Sequence, residues 1–373
     1  MIEDRIQRVE QGADLSFDEM AEAIGQIMSG EIDQDHIAQL LAGLHRKGET
    51  ADEVAGAALA MRRHMTPIRR QSSDSGSEGA AGRPASDALL DVVGTGGDGS
   101  GTLNISTAAA LVTAACGVVV AKHGNRAVTS RSGASDVLAH LGVNIEADLA
   151  TVERCLAALG ICFCFAPLYH RAMKSVAPVR KSLPHPTVFN LLGPLANPAS
   201  AGYQLLGVGR EELRPLMARA VRRLEEDSAG LEPGSAPPPE DVQSRKSGRA
   251  VVVHGSDGLD EVTLGGRTDV TVVTPDGLSE LSWTAEDFGL PAVAIPQLQV
   301  RGPEESAQRI RDLLDGKPGP CRDVVLANAA AALWVVGRVA SVGQGVGVAA
   351  EAVDSGAAAE KLARLVEMTN AAG

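Results

Sequence analysis

Gly94-Thr95-Gly96-Gly97-Asp98-Gly99 follows an apolar run (Leu89, Leu90, Val92, Val93) and precedes Asn104-Ile105-Ser106-Thr107 and an alanine-rich segment. The order is strand, glycine loop, helix start. Main-chain N–H groups in the first turn of a helix have no partner within it, and the helix dipole favours an anion there. Glycines let the main chain approach a phosphate closely. A second cluster, Lys122, His123, Asn125, Arg126, Thr129, Ser130, Arg131 and Ser132, follows the apolar run 118–121. One stretch supplies amides and hydroxyls and the other supplies cations, which together describe a pocket for a phosphorylated ligand. For the glycine stretch alone, the competing reading is an ordinary turn in an α/β domain.

Gly94, Gly96 and Gly99 match the dinucleotide fingerprint G-x-G-x-x-G, but such a site needs an acid about 20 residues on, at the end of the second strand. Lys122-His123 stands there instead. No Gly-Lys-Ser/Thr follows the glycines, so the loop is not a P-loop. Asp98 repels a phosphate unless a cation lies between them or the acid binds sugar hydroxyls; it points to Mg²⁺ and a ribose phosphate. Asp260 and Glu261 follow a glycine turn in HGSDGLDE (254–261). Adjacent carboxylates suit Mg²⁺, which takes a few of them plus phosphate oxygens; two solvated loop acids is the other reading. Residues 170–198 place Lys174, Arg180 and Lys181 among prolines. Arg180 either forks onto a substrate carboxylate, as guanidinium geometry allows, or is a surface ion-pair arginine. No acid–base role is assigned to His123 or His170, and no catalytic residue is singled out.

Short apolar runs (89–93, 118–121, 161–165, 204–208, 250–253 and 270–273) alternate with helical segments. That alternation predicts an α/β fold with a mostly parallel central sheet and ligands at the carboxyl ends of its strands. Ahead of it, residues 16–65 read as short helices. Ser16 with Glu19 and Thr50 with Glu53 form capping boxes, and Gly30 and Gly48 are stops. The expected organisation is a small N-terminal helical domain (1–70), a linker or insertion (71–86), and a large α/β domain (87–373) with an exposed insertion at 227–248. The chain has 373 residues, a formal net charge of −13, 44% hydrophobic and 2% aromatic residues. The acidity and scarcity of aromatics argue against nucleic-acid and anionic-membrane binding. The five cysteines form no C-x-x-C pair and read as free thiols. The start lacks the form of a signal peptide and the longest apolar stretch, 108–121, is too short to span a bilayer, so a soluble cytoplasmic protein is expected.

GTGGDG, Asn104 to Thr107 as N-x-S-T, KHGNR (122–126), APVR (177–180), FNLLGPL-x-NP (189–198) and HG-x-DGLDE (254–261) occur in one order along the chain. In this the chain resembles the anthranilate phosphoribosyltransferase family over nearly its whole length, apart from the two insertions. The resemblance implies a homodimer formed through the helical part, with a substrate cleft between it and the α/β part. It implies transfer of the phosphoribosyl group from phosphoribosyl pyrophosphate to the amine of anthranilate, the second step of tryptophan synthesis from chorismate. By the same resemblance, Gly94, Gly97, Asp98, Thr102, Asn104, Ile105, Ser106, Thr107, Lys122, His123, Gly124, Asn125, Arg126, Ala127, Val128, Thr129, Ser130 and Ala134 hold the sugar phosphate. Gly94, Asn125 and Arg180 face anthranilate. Ser106, Asp260 and Glu261 hold Mg²⁺, two ions per subunit. The chain departs from the family pattern at Ala134, where serine is usual, at Arg171, where proline is usual, and at Pro184 and Pro186, in place of glycine and arginine. Two rivals share the architecture. A pyrimidine nucleoside phosphorylase needs no Asp260-Glu261 pair, and a non-catalytic nucleic-acid-binding relative would call for a basic groove.

Overall fold

The computed structural model describes residues 1–69, 88–126, 131–229 and 249–371. Four helices open the chain: α1 Ile2–Glu10, α2 Phe17–Met28, α3 Gln34–Lys47 and α4 Ala51–Arg63. Both expected capping boxes form: Ser16 and Glu19 at the start of α2, and Thr50 and Glu53 at the start of α4, exchange side-chain and main-chain bonds. Each box satisfies two N–H groups that the helix leaves free. Gly30 (φ 78°) and Gly48 (φ 88°) end α2 and α3 in the left-handed region where a side chain is strained. Helix α1 lies outside the helical segment expected from Ser16 onward. Its signal is Ile2, Ile6 and Val9 at helical spacing, all buried.

Among the described residues the sheet has seven strands: β1 Leu89–Gly94, β2 Val119–Gly124, β3 Ile161–Phe165, β4 Tyr203–Gly207, β5 Arg249–Gly255, β6 Thr268–Thr274 and β7 Gly277–Trp283. Their order is β3-β2-β1-β4-β5-β6-β7. The first five are parallel, and β6 and β7 add an antiparallel edge. The expected mostly parallel α/β sheet is therefore present. Strand β7 was not among the expected runs because it is largely exposed and only weakly apolar; its signal is the Asp276-Gly277 turn. Helix α5, Ile105–Ala115, connects β1 to β2. The chain leaves β1 toward β2 and β3 on one side and returns on the other at β4, so the carboxyl end of β1 lies at the switch point where α/β sheets bind ligands.

Two buried clusters flank the sheet. One packs α5 and the C-terminal helices against it; the other joins residues of all four N-terminal helices to Met217, Val221 and Leu224, and to Val252 of β5 and Val273 of β6. The N-terminal helices thus share their core with the α/β part. The helix Leu213–Ala229 extends past residue 227, where the second insertion was expected to begin. The rest of that insertion, 230–248, and the expected linker, 71–86, lie outside the described residues. Among the described residues no helix is long and apolar enough to cross a membrane.

Candidate active site

The glycine loop leaves β1 at Gly94 and turns through Gly96, Gly97, Gly99 and Gly101, with φ of 69°, 78°, 69° and 68°. Such a run of positive φ is open only to glycine at little cost. A side chain at Gly94 would collide with the Asp260 carboxylate, and one at Gly207 with the Asp260 main chain. Those two bare strand ends let the acidic loop lie flush against the floor of the cleft. Asp260 Oδ2 accepts the Gly96 N–H at 2.8 Å, and Glu261 Oε1 accepts the Ser106 N–H at 3.1 Å. The acids are thereby tied to the glycine loop and to the start of α5. Burial raises both carboxyl pKa values; Asp98 raises that of Asp260 further, and Asp260 that of Glu261.

Two adjacent, half-buried carboxylates whose charges oppose one another are the kind of donors that could hold a hard cation. Among the described residues no group of three or more His, Cys, Asp and Glu could hold a metal alone. Mg²⁺ fits this site in its usual manner, with a carboxylate or two and the remaining oxygens from hydroxyl, water and substrate.

Lys122 lies near the end of β2, as expected, and is 4% exposed. Its Nζ donates to the Val92 carbonyl at 2.8 Å and to Ser106 Oγ at 3.2 Å. Burial lowers its pKa against the pull of Asp91, Glu261 and Asp260. Asp91, in the middle of β1, is fully buried, and burial pushes its carboxyl up to about 6 despite the Lys122 ammonium. The His123 ring gives Nδ1 to the Gly193 carbonyl at 3.0 Å, and its Nε2 faces His170 Nε2 at 3.2 Å. A proton on His123 Nδ1 leaves Nε2 to accept, so His170 carries its proton on Nε2. Burial holds His123 down to about 3 and His170 to about 4, so both are neutral near pH 7.

Asn104 ties the two phosphate stretches together. Its Oδ1 accepts from Ser132 Oγ at 2.7 Å, and its N–H donates to Ser306 Oγ at 3.0 Å. The cleft has a volume of about 810 Å³. Of the residues that the resemblance implies, Gly94, Gly97, Asp98, Thr102, Asn104, Ile105, Ser106, Lys122, His123, Gly124, Asn125, Arg126, Ala134, Arg180, Asp260 and Glu261 line this cleft. Thr107 does not: it is 1% exposed with its hydroxyl turned into the core, because it lies on the inner face of α5. Ala127, Val128, Thr129 and Ser130 lie outside the described residues. The Ala134 methyl packs close to Gly124, where even a Cβ would be crowded, and the neighbouring Ser135 hydroxyl is buried without a partner. The missing hydroxyl at 134 is thus not supplied by Ser135; the serine lining the cleft nearby is Ser132.

The cleft is also lined by Arg171, Lys174, Pro186 and Phe189, by Met61 of α4 and by Arg210. The Arg180 guanidinium lies 5.7 Å from the centre of the Phe189 ring. Met61 and Arg210, which reach the cleft from distant elements, had no signal in the sequence, nor had Ser306, which is buried behind it on Asn104. Asp91 had one: an acid inside a strand otherwise apolar enough for burial on both faces.

Residues 3–65 match the helical bundle domain of a glycosyl transferase family, and residues 86–235 and 238–359 match its a/b domain. An anthranilate phosphoribosyltransferase of Rhodopirellula baltica is 45% identical over 364 residues, spanning 98% of this chain and 96% of its own. That of Geobacter sulfurreducens is 44% identical over 370 residues, spanning 99% and 100%. The chain belongs to the anthranilate phosphoribosyltransferase family. It is a pentosyltransferase of tryptophan biosynthesis. The crystal structure of the Thermus thermophilus anthranilate phosphoribosyltransferase is similar with a TM-score of 0.82 at 40% identity, covering 99% of this chain and 100% of its own. The Saccharomyces cerevisiae enzyme in complex with PRPP and Mg is similar with a TM-score of 0.83 at 27% identity, covering 100% and 98%. The same yeast enzyme in complex with 4-fluoroanthranilate gives 0.81 at 26%, covering 100% and 99%.

Proposed function

We propose a division of labour in this cleft for the family's reaction, transfer of the 5-phosphoribosyl group from phosphoribosyl pyrophosphate to the amine of anthranilate with release of pyrophosphate. The observation that carries it is the bonding of Asp260 and Glu261 to the Gly96 and Ser106 amides, which joins a cation site to a phosphate site. The leaving pyrophosphate departs from an anomeric carbon and leaves an oxocarbenium-like ribose, so the main task is to receive negative charge. The N–H groups of Gly96, Ser106 and Asn104 are already given to Asp260, Glu261 and Ser306. The remaining amides of the glycine loop and the ammonium of Lys122 are the fixed donors for that charge, and preorganised donors cost no rearrangement during reaction. Mg²⁺ held by Ser106, Asp260 and Glu261, two ions per subunit, would supply charge neutralisation at the pyrophosphate. Asp98 faces the ribose hydroxyls or the cation.

Anthranilate binds against Gly94 and Asn125 with its carboxylate on Arg180, whose fork matches it. Arg180 is half-buried beside Phe189 and has no ion-pair partner among the described residues, which leaves its donors free for a substrate. Holding the weak aromatic amine near the anomeric carbon is a proximity effect and needs no strong base. The neutral His123–His170 pair braces the floor. In this reading the enzyme acts as a homodimer through its N-terminal helices, in the cytoplasm.

The test follows anthranilate fluorescence with purified protein, phosphoribosyl pyrophosphate and Mg²⁺. Loss of signal that requires all three is expected. No loss while ligand still binds would place the fault in the acceptor wall around Pro184 and Pro186, and no loss without binding would overturn the reading.

A further inference from the structure

Strands β1 and β2 are paired at Leu89↔Val119 and Leu90↔Val120 only. Beyond that point β1 stays paired with β4 as far as Gly94, and β2 with β3 as far as Gly124. The sheet therefore opens between its two central binding strands while each keeps its outer neighbour. Two side chains span the opening in opposite directions. Asp91 Oδ1 of β1 accepts the His123 N–H of β2 at 3.2 Å, and Lys122 Nζ of β2 donates to the Val92 carbonyl of β1 at 2.8 Å. The same ammonium reaches Ser106 Oγ at 3.2 Å, at the start of the phosphate-binding helix. Asp91 Oδ2 accepts no hydrogen bond. A buried carboxylate with an orphaned oxygen is costly; the Lys122 ammonium is the first of the groups that favour its charge, ahead of Asn197 and the His123 N–H, although the two make no ion pair.

We infer that Asp91 is a positioning residue for the phosphoribosyl pyrophosphate half of the site, acting through Lys122 and His123. It holds the ends of β1 and β2 apart at a fixed distance and keeps the Lys122 ammonium aimed at the helix start. The inference rests on the reaction proposed above, and the acceptor half of the cleft should barely notice its loss.

Asp91→Asn keeps the size and an acceptor for the His123 N–H but removes the negative charge that favours the Lys122 ammonium. In the fluorescence assay its KM for phosphoribosyl pyrophosphate is expected to rise about tenfold or more, while that for anthranilate, at saturating sugar phosphate, stays within about twofold. A purely structural role would move both constants or lower the unfolding temperature without this split. The double variant with Lys122→Met decides whether Asp91 acts through Lys122. Adding Asp91→Asn to Lys122→Met is expected to change the sugar-phosphate KM by less than about twofold, because coupled residues are not additive. Multiplying effects, equal rises in both constants, or an unchanged sugar-phosphate KM would overturn the inference. If Asp91→Asn does not yield folded protein, Asp91→Glu keeps the charge and shifts it by one methylene; the same selective rise is expected, and equal rises would again overturn it. Turnover by the unsubstituted enzyme in the same assay separates the failures: none would sink the reaction itself, whereas turnover without the split would sink only the role of Asp91.

Discussion

Asp260 and Glu261 stand side by side, half-buried, and each raises the cost of ionising the other. Asp260→Asn halves the charge offered to a cation while keeping the bond to the Gly96 N–H. A charge-assisted contact contributes about 1.5–3 kcal/mol, so kcat/KM for phosphoribosyl pyrophosphate should fall about 10- to 100-fold, with the Mg²⁺ curve shifted to higher concentration. An unchanged Mg²⁺ curve would remove the metal assignment. Arg180→Ala loses a contact of the same kind and should raise the anthranilate KM by about tenfold or more, more than that of the sugar phosphate; equal effects would count against its placement. A third prediction concerns pH. His123 and His170 are held down to about 3 and about 4 from an ordinary 6.5, chiefly by burial. Below pH 6.5 the unfolded chain takes up protons that the folded one refuses, so the two rings destabilise the fold increasingly as pH falls from 6.5 toward about 4 for His170 and about 3 for His123. Replacing His170 with Gln removes one of the two groups, and its melting temperature should fall less steeply over that window than that of the unsubstituted protein. Parallel curves would refute the assignment.

Helix α4 illustrates how an element is placed by what it lacks. Gly56 sits in its middle, where glycine costs roughly 0.5–1 kcal/mol relative to alanine. A Cβ there would collide with the Phe17 carbonyl of α2 and press on Ala21 and Met20. Overpacking typically costs 1–3 kcal/mol or roughly that, and the obstacle is backbone that cannot swing aside. Gly56→Ala should therefore lower the denaturant midpoint although it raises helix propensity; a higher midpoint would show that α2 and α4 can separate freely. The same logic at Gly94 and Gly207 seats the acidic loop. The capping boxes of α2 and α4 and the glycine stops were legible because each lies within four or so residues of sequence. The end of strand β2 at Lys122-His123 was legible too, but not that the sheet buries both side chains, at 4% and 3% exposure.

Across the whole molecule, the N-terminal helices and the α/β part divide the chain but not the core. Ile24, Leu41 and Met61 belong to one buried cluster with Val179, Phe189, Met217 and Val252. Residues 1–69 expressed alone would expose that shared face, and they should show no cooperative thermal transition by circular dichroism. A sharp transition would establish them as an independent unit. The net charge of −13 coexists with a cleft for phosphates because Lys122, Arg126, Arg180 and the oriented amides are gathered locally.

Local chemistry could be read along the chain. The glycine loop, the cations after the second apolar run, the paired acids and Arg180 are each encoded in a few neighbouring residues, and the structure brings them into one cleft. Partnerships could not be read that way. The Asp91–His123 bond, Ser306 on Asn104, and Met61 and Arg210 in the cleft lining join positions far apart in sequence. Such pairings depend on strand order and helix crossings, which arise when many apolar residues are buried together. A loop's φ angles and a helix cap follow from steric rules within a few residues; which side chains share a buried volume is decided only when the distant segments meet.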